Sequence, residues 1–318
     1  MDTILAPIMW LVAWVMYGTH RFWTLLGLGS GAGIAWVLAI VLLTIIMRVA
    51  LIPLFFKQIK ASRGMQLLQP ELQAIQKKYK GKTDPSSREA MSKETMALYK
   101  KHGTNPFSSC MPMLLQSPVF FALFRLLANI PNIALGPEVE GGRGPIGPIN
   151  QQVAYNIQNS ELFGARLSDV FMQITEWGSA RLVIIILIIL MSATMFITQR
   201  QLTMKNMPQS ALQGPMAGTQ KLMMYLMPLI FVFSGINFPV GVLVYWVVTN
   251  LWSMGQQYYS ITRMPAPGSA AEKIRKEKLA RKAQAQGKSL TEEQVALVTP
   301  KPRGQRQQPV RKNRQKKG

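Results

Sequence analysis

Apolar residues gather in five runs, 34–56, 110–130, 181–199, 222–236 and 240–260, set apart by polar and basic segments. The first, IAWVLAIVLLTIIMRVALIPLFF, covers about 34 Å as a helix at about 1.5 Å per residue, enough to cross a hydrocarbon core of about 30 Å. It contains a single charge, Arg48. From Arg48 to Lys57, where the basic segment begins, is about 13 Å of helix, too deep for a terminal residue even with snorkelling. An unpaired arginine at that depth costs roughly a few to more than ten kcal/mol unless water or polar groups surround it. The run therefore predicts that Arg48 faces a polar cavity or the bundle interior; packing against backbone carbonyls alone is the alternative. Thr44 shares its helix face. Pro53 loosens the helix just below the arginine.

Before this run, residues 4–17 (ILAPIMWLVAWVMY) are apolar but short, and Trp10, Trp14 and Tyr17 suit the headgroup boundary. They predict an interfacial helix, with a tilted transmembrane helix as the alternative. The first basic residue is Arg21, so retention is expected rather than cleavage as a signal peptide. GLGSGAG at 27–33 reads as a joint.

Residues 57–105 hold eleven Lys or Arg against four Asp or Glu. Leu68, Leu72, Ile75 and Tyr79, then Met91 and Leu98 after GKTDP, recur at helical spacing, with Asp84-Pro85 as a start and Gly103 as a stop. The pattern predicts a helical hairpin projecting from the membrane; a solvated charged spacer is the alternative. In the next run Gln116 is the polar mark, Arg125 lies near the far end, and Pro112 and Pro118 imply local irregularity. Residues 131–180 read as loop, with a short interfacial helix around Leu167 to Trp177. The last run carries a stripe of Trp246, Thr249, Asn250, Ser253 and Gln257, which either joins helices or lines a cavity. Residues 261–318, with 16 basic against 4 acidic residues, read as a disordered tail with one helix at 271–286. Such a tail retains topology and attracts anionic lipid, or binds ribosomal RNA phosphates.

Charge distribution orients these elements. The basic counts are 11, 3 and 16 in segments 57–105, 200–221 and 261–318, against 2 in 131–180 before Arg181. The positive-inside rule places the first three in the cytoplasm, with the N-terminus outside and the C-terminus inside. The expected fold is an all-α polytopic membrane protein with five transmembrane helices and a cytoplasmic helical hairpin. Its parts are an N-terminal helix and joint (1–33), a five-helix core (34–260) and a basic tail (261–318). One cysteine and two distant histidines argue against a metal site or a Cys/His pair, and none of the 14 Asp and Glu falls in a run. No nucleotide-binding loop is present either, so no cofactor and no enzyme activity are expected. An intramembrane hydrolase would need a base beside Ser192 or Ser234, and none is available.

Three stretches resemble the YidC membrane protein insertases: IMRVALIPLFFKQIKASRGMQLLQPELQAIQKKYK (46–80), EAMSKETMALYKKHGTNPFSSCMPMLLQSPVFFALF (89–124) and FPVGVLVYWVVTNLWSMGQQ (238–257). The likeness covers about 34–260 in the same order. The chain lacks the large extracytoplasmic domain of Gram-negative members and an N-terminal lipobox cysteine, and its form most resembles the actinobacterial type. With no transit peptide, a bacterial plasma membrane is the expected location. The resemblance implies a hydrophilic groove in the inner leaflet, open to cytoplasm and lipid. Arg48 matches the groove arginine, Thr44 and Trp246 match positions that line or brace it, and Gln116 and Asn250 join them as groove candidates by position. The implied partners are nascent membrane proteins, the lipid bilayer, the ribosome through tail and hairpin, and the Sec translocon. The reading from another class is a small-anion transporter or channel using Arg48.

Overall fold

The computed structural model describes residues 2–29, 33–105, 111–207 and 217–285. Eleven helices account for most of them: α1 (Asp2–Leu25), α2 (Ile34–Ala50), α3 (Ile52–Leu67), α4 (Gln69–Lys78), α5 (Pro85–Lys101), α6 (Met111–Leu135), α7 (Gln151–Gln158), α8 (Ser179–Asn206), α9 (Ala217–Gly235), α10 (Val240–Arg263) and α11 (Ala270–Ala285). A two-stranded ribbon, β1 (Glu161–Leu162) with β2 (Ala165–Arg166), is the remaining regular element. Helices α6 and α8 are each long and apolar enough to cross a membrane, and the α2–α3 pair makes a third crossing if counted as one bent span.

The first apolar run is not one helix. It breaks at Leu51, and α3 leaves at 52° to α2. Pro53 explains the break: inside a continuous helix it would remove a backbone donor and press its ring on the carbonyl of Val49, whereas in the first turn of α3 it does neither. The bend shortens the axial distance from Arg48 to Lys57 to about 10 Å, at about 1.5 Å per residue along α2 and less along the tilted helix.

α1 is longer than the 4–17 stretch. It buries Met9, Val12, Ala13 and Met16 in the main core. Thr19 donates to the Ala39 carbonyl at 3.1 Å, and His20 stacks on Trp36 with centroids 3.7 Å apart. The segment thus packs with α2 and α6. Part of the joint, residues 30–32, lies outside the described residues.

The segment between α6 and α8 is organised differently from expectation. α6 runs through Pro131 to Leu135, so Arg125 lies more than two turns before its end and is half-buried. Gly136, at φ 86°, then turns the chain. The helix falls at 151–158, started by Asn150, whose side chain accepts from Val153 N–H. Leu167 to Trp177 holds a single 3₁₀ turn, Phe171–Gln173. This segment closes one end of the bundle. The N–H groups of Val240 and Gly241, unsatisfied within α10, donate to the carbonyls of Asp169 and Leu167 at 3.0 Å.

At the other end the hairpin has its own small core of Leu68, Leu72, Ile75 and Leu98, with Tyr79, Met91 and Tyr99 around it. Asp84 caps α5 by accepting from Ser87 N–H at 2.8 Å. Lys78 and Glu94 bridge α4 and α5 at 2.9 Å. The two helices pack on one another, which a solvated spacer would not do. In residues 261–285, α10 continues to Arg263 and the helix expected at 271–286 is found as α11, which docks against α8; Ala266 N–H donates to Asn206 Oδ1 at 2.9 Å. The remainder of the tail lies outside the described residues.

Candidate functional site: a polar cavity at Arg48

α2 buries a stripe of Trp36, Ile40, Leu43 and Thr44, and one further turn brings Arg48 onto it. The stripe meets α1 at Trp36 and α10 at Arg48, so the guanidinium is delivered between helices. There Nη2 donates to Ser253 Oγ at 3.1 Å and, more weakly, to the Thr249 carbonyl at 3.4 Å. Ser253 is itself oriented by donating to that same carbonyl at 2.8 Å. Arg48 Nε is buried without an acceptor. Both of its partners are neutral, so the positive charge stays uncompensated where it stands, and an anionic group would find donors ready.

Beside the guanidinium lies a cavity of about 50 Å³, whose polar wall is Arg48, Gln58, Gln116 and Gln256 and whose apolar wall is Leu51, Leu54 and Phe55. The break at Leu51 creates it, since a straight α2 would carry residues 54–58 elsewhere. Gln116 is fixed by donating its Nε2 to the Tyr245 hydroxyl. Phe55 and Gln58 also line a larger cavity of about 430 Å³ between α3, α8, α9 and α10, so the two spaces share a wall.

The five residues singled out from sequence do not form one cluster. Arg48 and Gln116 meet at the small cavity. Thr44 is buried one turn away, its hydroxyl donating to the Ile40 carbonyl at 2.7 Å within its own helix. Asn250 points to the other side of α10 and donates to the Met191 carbonyl at 3.0 Å, joining α10 to α8. Trp246 sits among Phe120, Phe231 and Phe238 with ring centroids 4.5 to 5.6 Å away. It braces the bundle and does not touch Arg48. The polar stripe therefore divides: Ser253 faces the arginine, Asn250 joins helices, and Gln257 lines the larger cavity. Sequence reasoning passed over Gln58 and Gln256. Gln58 stands beside Lys57 in a segment read as cytoplasmic, and only the bend turns it back toward Arg48.

Fold and site together define an all-α polytopic membrane protein whose helix bundle is closed at one end and holds an arginine- and glutamine-lined cavity toward the other. Residues 27–267 match the family described as 60Kd inner membrane protein, and the chain belongs to that family. Curated relatives named membrane protein insertase YidC support this. That of Streptomyces avermitilis is 43% identical over 94% of this chain and 68% of its own length. The Bifidobacterium longum protein is 39% identical over 98% and 95%, and that of Tropheryma whipplei strain Twist 37% identical over 100% and 97%.

Proposed function

We propose that this chain is a membrane protein insertase and chaperone, and that the cavity at Arg48 is the inner part of a groove open to cytoplasm and lipid. The observation that carries the reading is the arginine held between helices by neutral partners alone, next to three glutamines. A nascent substrate places its short polar, often acidic, end beside Arg48 while its apolar helix moves along lipid-facing spans. Polar groups then cross less hydrocarbon. Attraction between that end and Arg48 amounts to only a few kcal/mol even where water is scarce, so it recruits. Transfer of the substrate helix into lipid, at about 0.8 kcal/mol per buried CH₂, drives insertion.

In this reading the five-helix core spans 34–260 with the N-terminus outside. The hairpin at 57–105 and the basic tail face the cytoplasm and meet the ribosome, and the chain works alone or beside the Sec translocon. The test is reconstitution of the purified chain in liposomes with protease protection of a single-span substrate made during translation. Protein-dependent protection is expected, reduced about tenfold by Arg48→Ala for an acidic-ended substrate, as loss of one charge-assisted contact predicts, and less for a neutral-ended one. Equal losses for both ends would remove Arg48 from recruitment. Absence of protection together with anion uptake by the same liposomes would replace the insertase reading with a transporter.

A further inference from the structure

The larger cavity contains a second arginine whose surroundings differ from those of Arg48. Arg63, on α3, donates Nη2 to the Pro265 carbonyl at a long 3.4 Å, and its Nε is buried without an acceptor. Gln66 Oε1, on the next turn, is buried without a donor. Arg275 of α11 donates Nη1 to the Arg263 carbonyl, two residues from the Pro265 carbonyl that Arg63 meets, so the two guanidiniums are anchored on neighbouring carbonyls and their positive charges repel. No acidic residue lines the cavity among the described residues. Glu272, three residues before Arg275, is engaged by Gly268 N–H at 2.7 Å and Lys276 at 3.1 Å. Two guanidiniums fixed near one another without a carboxylate form a site that an anion with several oxygens would relieve.

Four methionines, Met207, Met223, Met224 and Met264, also line the cavity, and unbranched polarizable side chains of this kind conform to a flexible alkyl chain. Outside the cavity the apolar surface continues, with Met204 of α8 and Leu222, Tyr225 and Leu226 of α9 exposed. Arg63 lies six residues beyond Lys57, where the basic segment begins, and the positive-inside rule puts the start of such a segment at the cytoplasmic headgroups. A cationic end at headgroup height joined to an apolar track leading outward matches a molecule with one anionic end and a hydrocarbon chain.

We propose that this cavity is a binding site for an anionic phospholipid, its phosphate between Arg63 and Arg275 and one acyl chain along the methionines of α9. A free phosphate ion would use the arginines but leave the methionine wall without a partner. The site depends on the chain being in a membrane and not on the insertase reading. It also ties α11, and through it the basic tail, to the lipid at the cavity mouth.

The test is native mass spectrometry of the delipidated full chain in detergent, titrated separately with phosphatidylglycerol and phosphatidylcholine and challenged with inorganic phosphate. Phosphatidylglycerol is expected to bind about tenfold more tightly than phosphatidylcholine. Arg63→Gln and Arg275→Gln are each expected to reduce that binding about tenfold, as loss of one charge-assisted contact predicts. Lys93→Gln, which removes the same charge from the exposed hairpin, leaves binding unchanged. If Arg63→Gln does not fold, Arg275→Gln on the peripheral helix α11 gives the answer alone. Phosphatidylglycerol binding indifferent to Arg275→Gln, or displaced by inorganic phosphate at low concentration, overturns the proposal.

Discussion

The two ends of the helix bundle pack in opposite ways. At the end closed by residues 131–178, α10 buries Val240 through Tyr245 on every side, and Leu123, Leu126, Ile130, Ile149 and Leu167 are buried in the same core. At the hairpin end, α3 buries none of its sixteen residues. Both cavities lie there, and so do Arg48, Arg63 and the glutamines. The difference arises from the backbone. An irregular segment that donates its carbonyls to the first turn of α10 can seat side chains from all directions, whereas a helix turned outward by Pro53 leaves room that methionine and glutamine line without filling.

Substitutions at Leu126, Met223 and Asn250 sharpen that contrast. Leu126→Ala empties a site with 0% exposure and should cost about 2–5 kcal/mol. Met223→Ala, in the large cavity and 47% exposed, should stay within about 0.5 kcal/mol. Thermal unfolding in detergent measures both, and equal losses would break the distinction between a packed end and an open one. Asn250→Ala should fall between them, at about 1 kcal/mol, because it removes one interhelical hydrogen bond to the Met191 carbonyl. Asn250→Asp, which leaves an acceptor facing an acceptor, should be worse than alanine.

The hairpin yields a pH dependence. Its cap residue Asp84 has its pKa lowered to about 2, first by the Ser86 hydroxyl and then by the Ser87 N–H. A carboxyl lowered in the folded state contributes stability that is fully present above its unfolded value and is lost as pH falls through the folded value. The first turn of α5 should therefore stay protected from hydrogen exchange at pH 5 and lose protection as pH drops from about 4 toward about 2. Asp84→Asn should abolish that dependence while keeping the cap. Glu94, held below the usual carboxylate range by hydrogen bonding to Lys78, titrates in the same direction, so the exchange readout must be taken at Ser87 and its neighbours.

Much of this arrangement is legible in the sequence, for reasons that also mark where reading stops. The lone Arg48, the leucine spacing of the hairpin and the Asp84-Pro85 start are local signals, and each one is found where its spacing puts it. Pro53 was a visible warning, but whether a proline loosens a helix or breaks it depends on what surrounds the next turn. The stripe from Trp246 to Gln257 has a correct period and a mixed meaning, because three neighbouring helices and a cavity compete for one face of α10. The helix at 151–158 is announced by Asn150 as a cap, yet its apolar residues are few, and the richer stretch 167–177 carries the stronger local signal. There Asp169 and Leu167 give their carbonyls to α10, a long-range demand that no local window contains.

The most direct test of the open and closed ends is chemical access to single cysteines in the full chain, reconstituted in liposomes with Cys110→Ser as background. Ser253→Cys and Gln58→Cys should react with a membrane-impermeant maleimide applied from the hairpin side. Val242→Cys, with 0% exposure in the packed end, should stay unlabelled from either side. Labelling of Val242→Cys from the side of residues 131–178, or silence of Ser253→Cys with the hairpin side exposed, would contradict a bundle sealed at one end and hydrated around Arg48 at the other.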